Sequence, residues 1–173
     1  APIQEACGFQ PEQWITPELE EYVNKYSLNY HEIVALLTSP IVLSFITEEE
    51  INHLKLAIKS KTSNVDELVK KHQEKYFWVQ NNYADIQMLG IDFFNEKISE
   101  VAKLPTSEIE AKIHELEAAP ANTQRKKEDL FEKHHPSPLL KKYVEVVEKF
   151  AEMQDVRKSF VLRANHYHKL FLE

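Results

Sequence analysis

An all-α fold, an elongated multi-helix bundle closed by a long C-terminal helix, is what this sequence predicts, and three observations lead there. Glycine occurs only at positions 8 and 90 of 173 residues, which leaves little material for hairpin turns. Leu, Glu, Lys and Ala, all good helix formers, are abundant. The third observation is the final stretch, where Ser137 is a capping residue, Pro138 suits a first helical turn, and no later Pro or Gly interrupts. Its apolar residues recur in steps of four and three at Leu139, Tyr143, Val146, Phe150, Met153, Phe160, Ala164, Tyr167 and Phe171, with Arg157 in the same row. Leu140, Val147, Gln154, Val161 and His168 flank that row, so a broad buried face is expected. A helix of about 36 residues would span about 54 Å, against about 40 Å for a compact globule of this length, hence the expectation of an elongated bundle.

The remaining elements follow in chain order. Residues 1–16, with Pro2, Gly8 and Pro11, read as an irregular lead-in from which Phe9 and Trp14 dock. Thr16-Pro17 opens a helix with Leu19, Tyr22, Val23 and Tyr26 on its apolar face, and Asn29 opens a second over Tyr30 to Leu37. Ser39-Pro40 signals a short segment reaching Phe45, and Thr47 with Glu50 forms a capping box for a helix bearing Ile51, Leu54, Ala57 and Ile58. Helical spacing resumes at Val65, Leu68, Val69, His72 and Tyr76 and runs into Phe77-Trp78-Val79. Gly90 marks a loop before Phe93, Phe94, Ile98 and Val101. Thr106-Ser107 caps a helix carrying Ile109, Ile113 and Leu116 that Pro120 is expected to end, and residues 121–135 read as polar surface. His134-His135-Pro136 is the turn into the last helix.

One domain covering residues 1–173 is expected. The start at Ala1 without Met, and an end inside a helical pattern, point to a piece excised from a larger multidomain chain. A net charge of −7 argues against nucleic acid or an anionic membrane surface as partner, because both reward a basic face. The longest apolar run, Ile33 to Leu37, is far short of a membrane span. Cys7 is the lone cysteine and no signal-peptide pattern is present, which reads as a cytoplasmic setting.

Catalytic motifs are missing from the sequence: there is no phosphate-binding glycine loop, dinucleotide fingerprint, nucleophile elbow or cysteine cluster. Its eight histidines contain no His pair at i,i+4, so neither a metal ligand nor a cofactor is expected in these residues. Two places bear on binding. Aromatics followed by amides, from His72 through Tyr76, Trp78, Asn81, Asn82 and Tyr83, read either as a buried aromatic turn or as a surface that stacks on a ligand; core is the expected reading. Arg157 interrupts the apolar row of the last helix with Gln154 one turn before it. An internal carboxylate is its expected partner, and a bound anion or neighbouring domain is the alternative.

The segment His72-x-x-x-Tyr76-Phe77-Trp78-Val79-Gln80-Asn81-Asn82-Tyr83, with Phe93-Phe94 downstream, resembles the region after the ATP-grasp domain of phosphoenolpyruvate-utilising enzymes such as pyruvate, water dikinase and rifampin-phosphotransferase-like proteins. Gln154-Asp155-x-Arg157-Lys158 and the helix beyond it are similar to the long helix that precedes their phosphohistidine domain. The resemblance covers residues 30–173 as an order of elements. It implies a non-catalytic helical connecting domain that contacts the ATP-grasp and phosphohistidine domains of its own chain. It also implies a parent phosphotransferase that uses ATP and Mg, and a hydrophobic acceptor substrate whose pocket this domain helps to shape. The competing class is a free-standing helical adaptor that binds a partner protein through its long helix and the Trp78 region.

Overall fold

The computed structural model describes residues 11–81 and 86–172, and their side chains over residues 16–81 and 86–168. Among these residues the fold is all-helical, as the composition predicts. Seven helices follow one another: α1 (Pro11–Tyr26), α2 (Tyr30–Thr38), α3 (Phe45–Ser60), α4 (Asp66–Tyr76), α5 (Ile91–Ala102), α6 (Thr106–His134) and α7 (Pro138–Leu172). Packing divides the chain into two compact units, one of residues 1–41 with 121–151, the other of residues 42–120 with 152–173. Phe9 and the side chain of Trp14 lie outside the described residues.

In the first unit, α1 and α2 close on the second half of α6 and the first half of α7. Leu19, Tyr22, Val23, Ile33, Leu37, Leu140 and Val144 form its core, with Leu130 and Phe131 packed against them. Helix α1 begins at Pro11 and carries Pro17 inside it, where the sequence placed its start. At its other end Ser27 adopts a left-handed conformation (φ 53°), and Leu28 N–H donates to Val23 O across the turn. That bond satisfies a terminal carbonyl without the usual glycine. Asn29 caps α2 as expected, accepting from the backbone of His31 and Glu32.

Residues 121–135, expected as a polar surface after Pro120, are mostly helix. Helix α6 runs through Pro120. A proline inside a helix costs about 3 kcal/mol. Here Ala118, Ala119 and Ala121 flank it, while Ile109 and Ile113 on one side and Leu130 and Phe131 on the other are held by packing. Tertiary contacts therefore outweigh the local penalty. Lys127, on this stretch, is buried. Its ammonium donates to Ser39 O at 2.8 Å and to Glu148 Oε1 at 2.7 Å, so the charge is paired and hydrogen-bonded. After α6, His135 turns left-handed (φ 40°) and Ser137 Oγ accepts from Leu140 N–H, capping α7 at the predicted place.

In the second unit, α3, α4 and α5 pack on the first half of α6 and the second half of α7. Ala57, Val69, Tyr76, Leu89, Phe94 and Ile98 make one cluster, and Ile51, Leu54, Ile109 and Ile113 another. The helical segment expected after Ser39-Pro40 is not formed. Instead α3 starts at Phe45, so that Thr47 lies inside the helix rather than capping it as expected. Ser44 is the cap, accepting from Thr47 N–H, and Asp155 Oδ2 on α7 accepts from Phe45 N–H at 3.0 Å. A carboxylate at a helix N-terminus suits both the free N–H groups and the dipole.

Helix α7 is continuous from Pro138, as predicted, but it buries a different face from the expected one. Leu140, Val144, Leu162 and His166 are buried and Val147, Ala151 and Asp155 half-buried, whereas Leu139, Val146, Phe150, Met153, Val156, Phe160 and Tyr167 are exposed. The buried stripe is poor in large apolar residues because part of its contact is polar, through Glu148 to Lys127 and Asp155 to the α3 N-terminus. Hydrophobic periodicity alone therefore selects the outer row.

Candidate functional site

The polar centre of the second unit lies where α3, α4 and α5 meet. Helix α3 carries Glu49 and His53 one turn apart, so both side chains leave the same face. Helix α4 brings His72 to them, and all three residues are buried. His72 Nε2 and Glu49 Oε1 are 3.0 Å apart. One potential ligand atom from each of Glu49, His53 and His72 lies within 4.8 Å of the other two. Aromatic rings wall the group: Tyr76 packs against His72 at 4.7 Å with the rings tilted by 50°, and Phe94 meets it edge-on at 5.2 Å. The Tyr76 hydroxyl accepts from Asn52 Nδ2 at 3.0 Å.

Electrostatics fix the resting state of two members. Burial pushes the Glu49 carboxyl upward, but the hydrogen bond to His72 and the charges of His72, His53 and Lys97 prevail and hold it below its ordinary value. For His53 burial is the leading influence, reinforced by Lys97 and His72; Glu49 and a backbone hydrogen bond at Lys97 oppose it, and its value falls below that of a free imidazole. At neutral pH the group therefore presents an ionised carboxylate beside a neutral His53. His53 Nδ1 is buried and has no hydrogen-bond partner among the described residues.

His72 stands out in the sequence, whereas Glu49 and His53 do not. The sequence holds no two histidines at i,i+4; the helical pair here is Glu49-x-x-x-His53, and the third member sits on the next helix. Admitting a carboxylate as one member of the pair would have found it. Tertiary packing, not a helical two-histidine pair, brings Glu49, His53 and His72 together.

The other sequence candidates divide into two groups. Tyr76, Trp78 and Asn81 are buried with His72. Trp78 Nε1 donates to Lys75 O at 2.9 Å, Phe45 lies 5.3 Å from its ring, and the Arg163 guanidinium sits 4.9 Å over it. The aromatic run is core, as expected. Asn81 Oδ1 accepts from Gln87 N–H at 2.8 Å, an intramolecular role for that amide. Asn82 and Tyr83 lie outside the described residues.

Gln154 and Arg157 are exposed on α7. Arg157 Nε donates to Gln154 Oε1 at 3.0 Å, so the expected internal carboxylate is replaced by an amide on the same helix face. The row was misread as buried, and the guanidinium projects from it instead. Around it Met153, Val156, Phe160 and Tyr167 are 64%, 63%, 71% and 50% exposed, which makes a continuous apolar strip at helical spacing. The exposed charges between Met153 and Tyr167 are Arg157, Lys158 and Arg163, all basic, in a chain of net charge −7.

In the first unit, a cleft of about 220 Å3 is lined by Gln124, Lys127, Phe131, Lys141, Val144 and Glu148, around the buried ion pair. Among the described residues no helix is long and apolar enough to cross a membrane. Comparison with protein-family models, with curated proteins and with solved structures returns no match to this chain.

Proposed function

We propose that this chain is a non-catalytic helical connecting domain of a multidomain ATP-dependent phosphotransferase, similar in organisation to the phosphoenolpyruvate-utilising enzymes, and that α7 is its docking helix. The observation that carries the reading is the exposed apolar strip Met153, Val156, Phe160 and Tyr167 with Arg157 at its centre. Large apolar residues at helical spacing, left in water, mark a surface that another protein surface covers. The occupant is a neighbouring domain of the same polypeptide with an acidic edge, because the exposed charges beside the strip are Arg157, Lys158 and Arg163. A second copy of this surface fits poorly, since it would set these cations against their own equivalents. The sequence resemblances around Trp78 and Gln154-Asp155-x-Arg157-Lys158 supply the identity of that neighbour, an ATP-grasp or phosphohistidine domain.

The test is made on the polypeptide encoded by the complete open reading frame around these residues. That frame should carry an ATP-grasp region upstream and a glycine-rich phosphohistidine motif downstream. Phe160→Ser with Arg157→Glu should lower its ATP-dependent phosphotransfer at least about tenfold, equivalent to about 1.4 kcal/mol, while the melting temperature of the 173-residue chain is unchanged. A frame without either flanking region, or full phosphotransfer by the double variant, would refute the reading.

A further inference from the structure

We propose that Glu49, His53 and His72 form a buried binding site for one divalent transition-metal ion of the zinc class, fastening α3 to α4. Two imidazoles and one carboxylate are a donor set used by zinc and by non-haem iron, and they exclude calcium and magnesium as preferred ions. The donors converge already: His72 Nε2 and Glu49 Oε1 are 3.0 Å apart, and the full set lies within 4.8 Å. Bonds of about 2.1 Å in a tetrahedral site place ligand atoms about 3.4 Å apart, so side-chain rotation of about an ångström completes the geometry.

An independent observation points the same way. His53 is 7% exposed, yet its Nδ1 has no hydrogen-bond partner among the described residues, which is an expensive state for a buried polar atom. A metal ion would take up the lone pair of that unpartnered nitrogen. A water molecule takes the fourth position, and the rings of Tyr76 and Phe94 hold the His72 imidazole. The burial of all three ligands makes this a site that ties helices together rather than one open to substrate.

The metal-stripped chain is titrated with Co(II) alone and followed by visible absorption, then with Zn(II) in competition. One equivalent of Co(II) should give the intense bands of a four-coordinate ion, displaced by Zn(II). His53→Gln should weaken uptake by more than about 100-fold, since removing a ligand exceeds the loss seen for an outer-shell partner. His31→Gln with His114→Gln, which removes two exposed histidines, should leave uptake unchanged. Because a ligand variant can misfold, the wild-type chain is also read directly: Zn(II) should shift the ring nitrogen resonances of His53 and His72. Absence of saturable uptake, uptake that survives His53→Gln, or shifts confined to the other histidines would overturn the proposal.

Discussion

Replacing Trp78 separates a core residue from a docking residue, and the structure sets the size of the effect. Trp78 is 2% exposed, bonded through Nε1 to Lys75 O, and covered by Phe45 on α3 and Arg163 on α7. A buried aromatic side chain of this kind removes about 150–250 Å2 from water, which at about 25 cal/mol per Å2 is about 4–6 kcal/mol as an upper bound. Truncations of such residues to Ala usually cost about 3–5 kcal/mol, with the lost hydrogen bond and cation–π contact inside that figure. Trp78→Ala should therefore lose about 4 kcal/mol. Trp78→Phe keeps a ring against Phe45 but loses the indole donor and part of the volume, for about 2 kcal/mol. Urea denaturation followed by far-ultraviolet circular dichroism is the assay. With a slope of about 2 kcal/mol per molar, the Ala variant's midpoint should fall by about 2 M in the transition of the second unit. A loss below about 1 kcal/mol, with an unchanged slope, would show that the indole is not held in the core and would refute the reasoning.

Lys127→Met leaves Glu148 and Ser39 O without their cation, and thermal unfolding should report a loss of about 2–4 kcal/mol, while Lys127→Met with Glu148→Leu should recover most of it. A double variant no better than the single would show that the two groups are not coupled. Asp155→Ala removes the acceptor at the α3 N-terminus and should cost about 0.5–2 kcal/mol in urea, an effect Asp155→Asn should largely restore; equal losses for both would remove Asp155 from the capping role. With chelator present, stability of the second unit should fall on acidification in two stages. His53 is depressed when folded, so the unfolded chain binds its proton first and stability begins to fall as pH drops through the ordinary imidazole range. Glu49 is depressed as well, so its contribution is full above the ordinary carboxylate range and is lost as pH falls through its lower folded value. Each proton gives a slope of at most about 1.4 kcal/mol per pH unit, and His53→Gln should abolish the first stage only; a flat profile between pH 7 and pH 5 would contradict it.

Local chemistry written in adjacent residues was legible in the sequence. Asn29 and Ser137 cap their helices where expected, Gly90 precedes α5, and His135-Pro136 turns the chain into α7. Signals that tertiary contact overrides were misread. Pro120 does not end α6, and Ser44 displaces Thr47 as a cap because Asp155, far along the chain, joins it at the α3 N-terminus. The apolar row of α7 was clear, but which face is buried depends on polar partners such as Lys127 and Phe45 N–H that periodicity cannot register. His72 stood out beside its aromatic neighbours. Its meaning depends on Glu49 and His53, which share only the i,i+4 spacing of a common helical pair.

The central claim is that the strip on α7 is covered by another domain of the same polypeptide, and solvent access at Phe160 tests it most directly. In a Cys7→Ser background, Phe160→Cys places a thiol where the side chain is 71% exposed, and Lys112→Cys supplies an exposed control on α6. In the 173-residue chain both thiols should react rapidly with a maleimide reagent. In the protein from the complete reading frame, the thiol at position 160 should react at least about tenfold more slowly while the control keeps its rate, because a docked surface exposes that thiol only in its open population. Equal rates at position 160 in the two proteins would contradict the account.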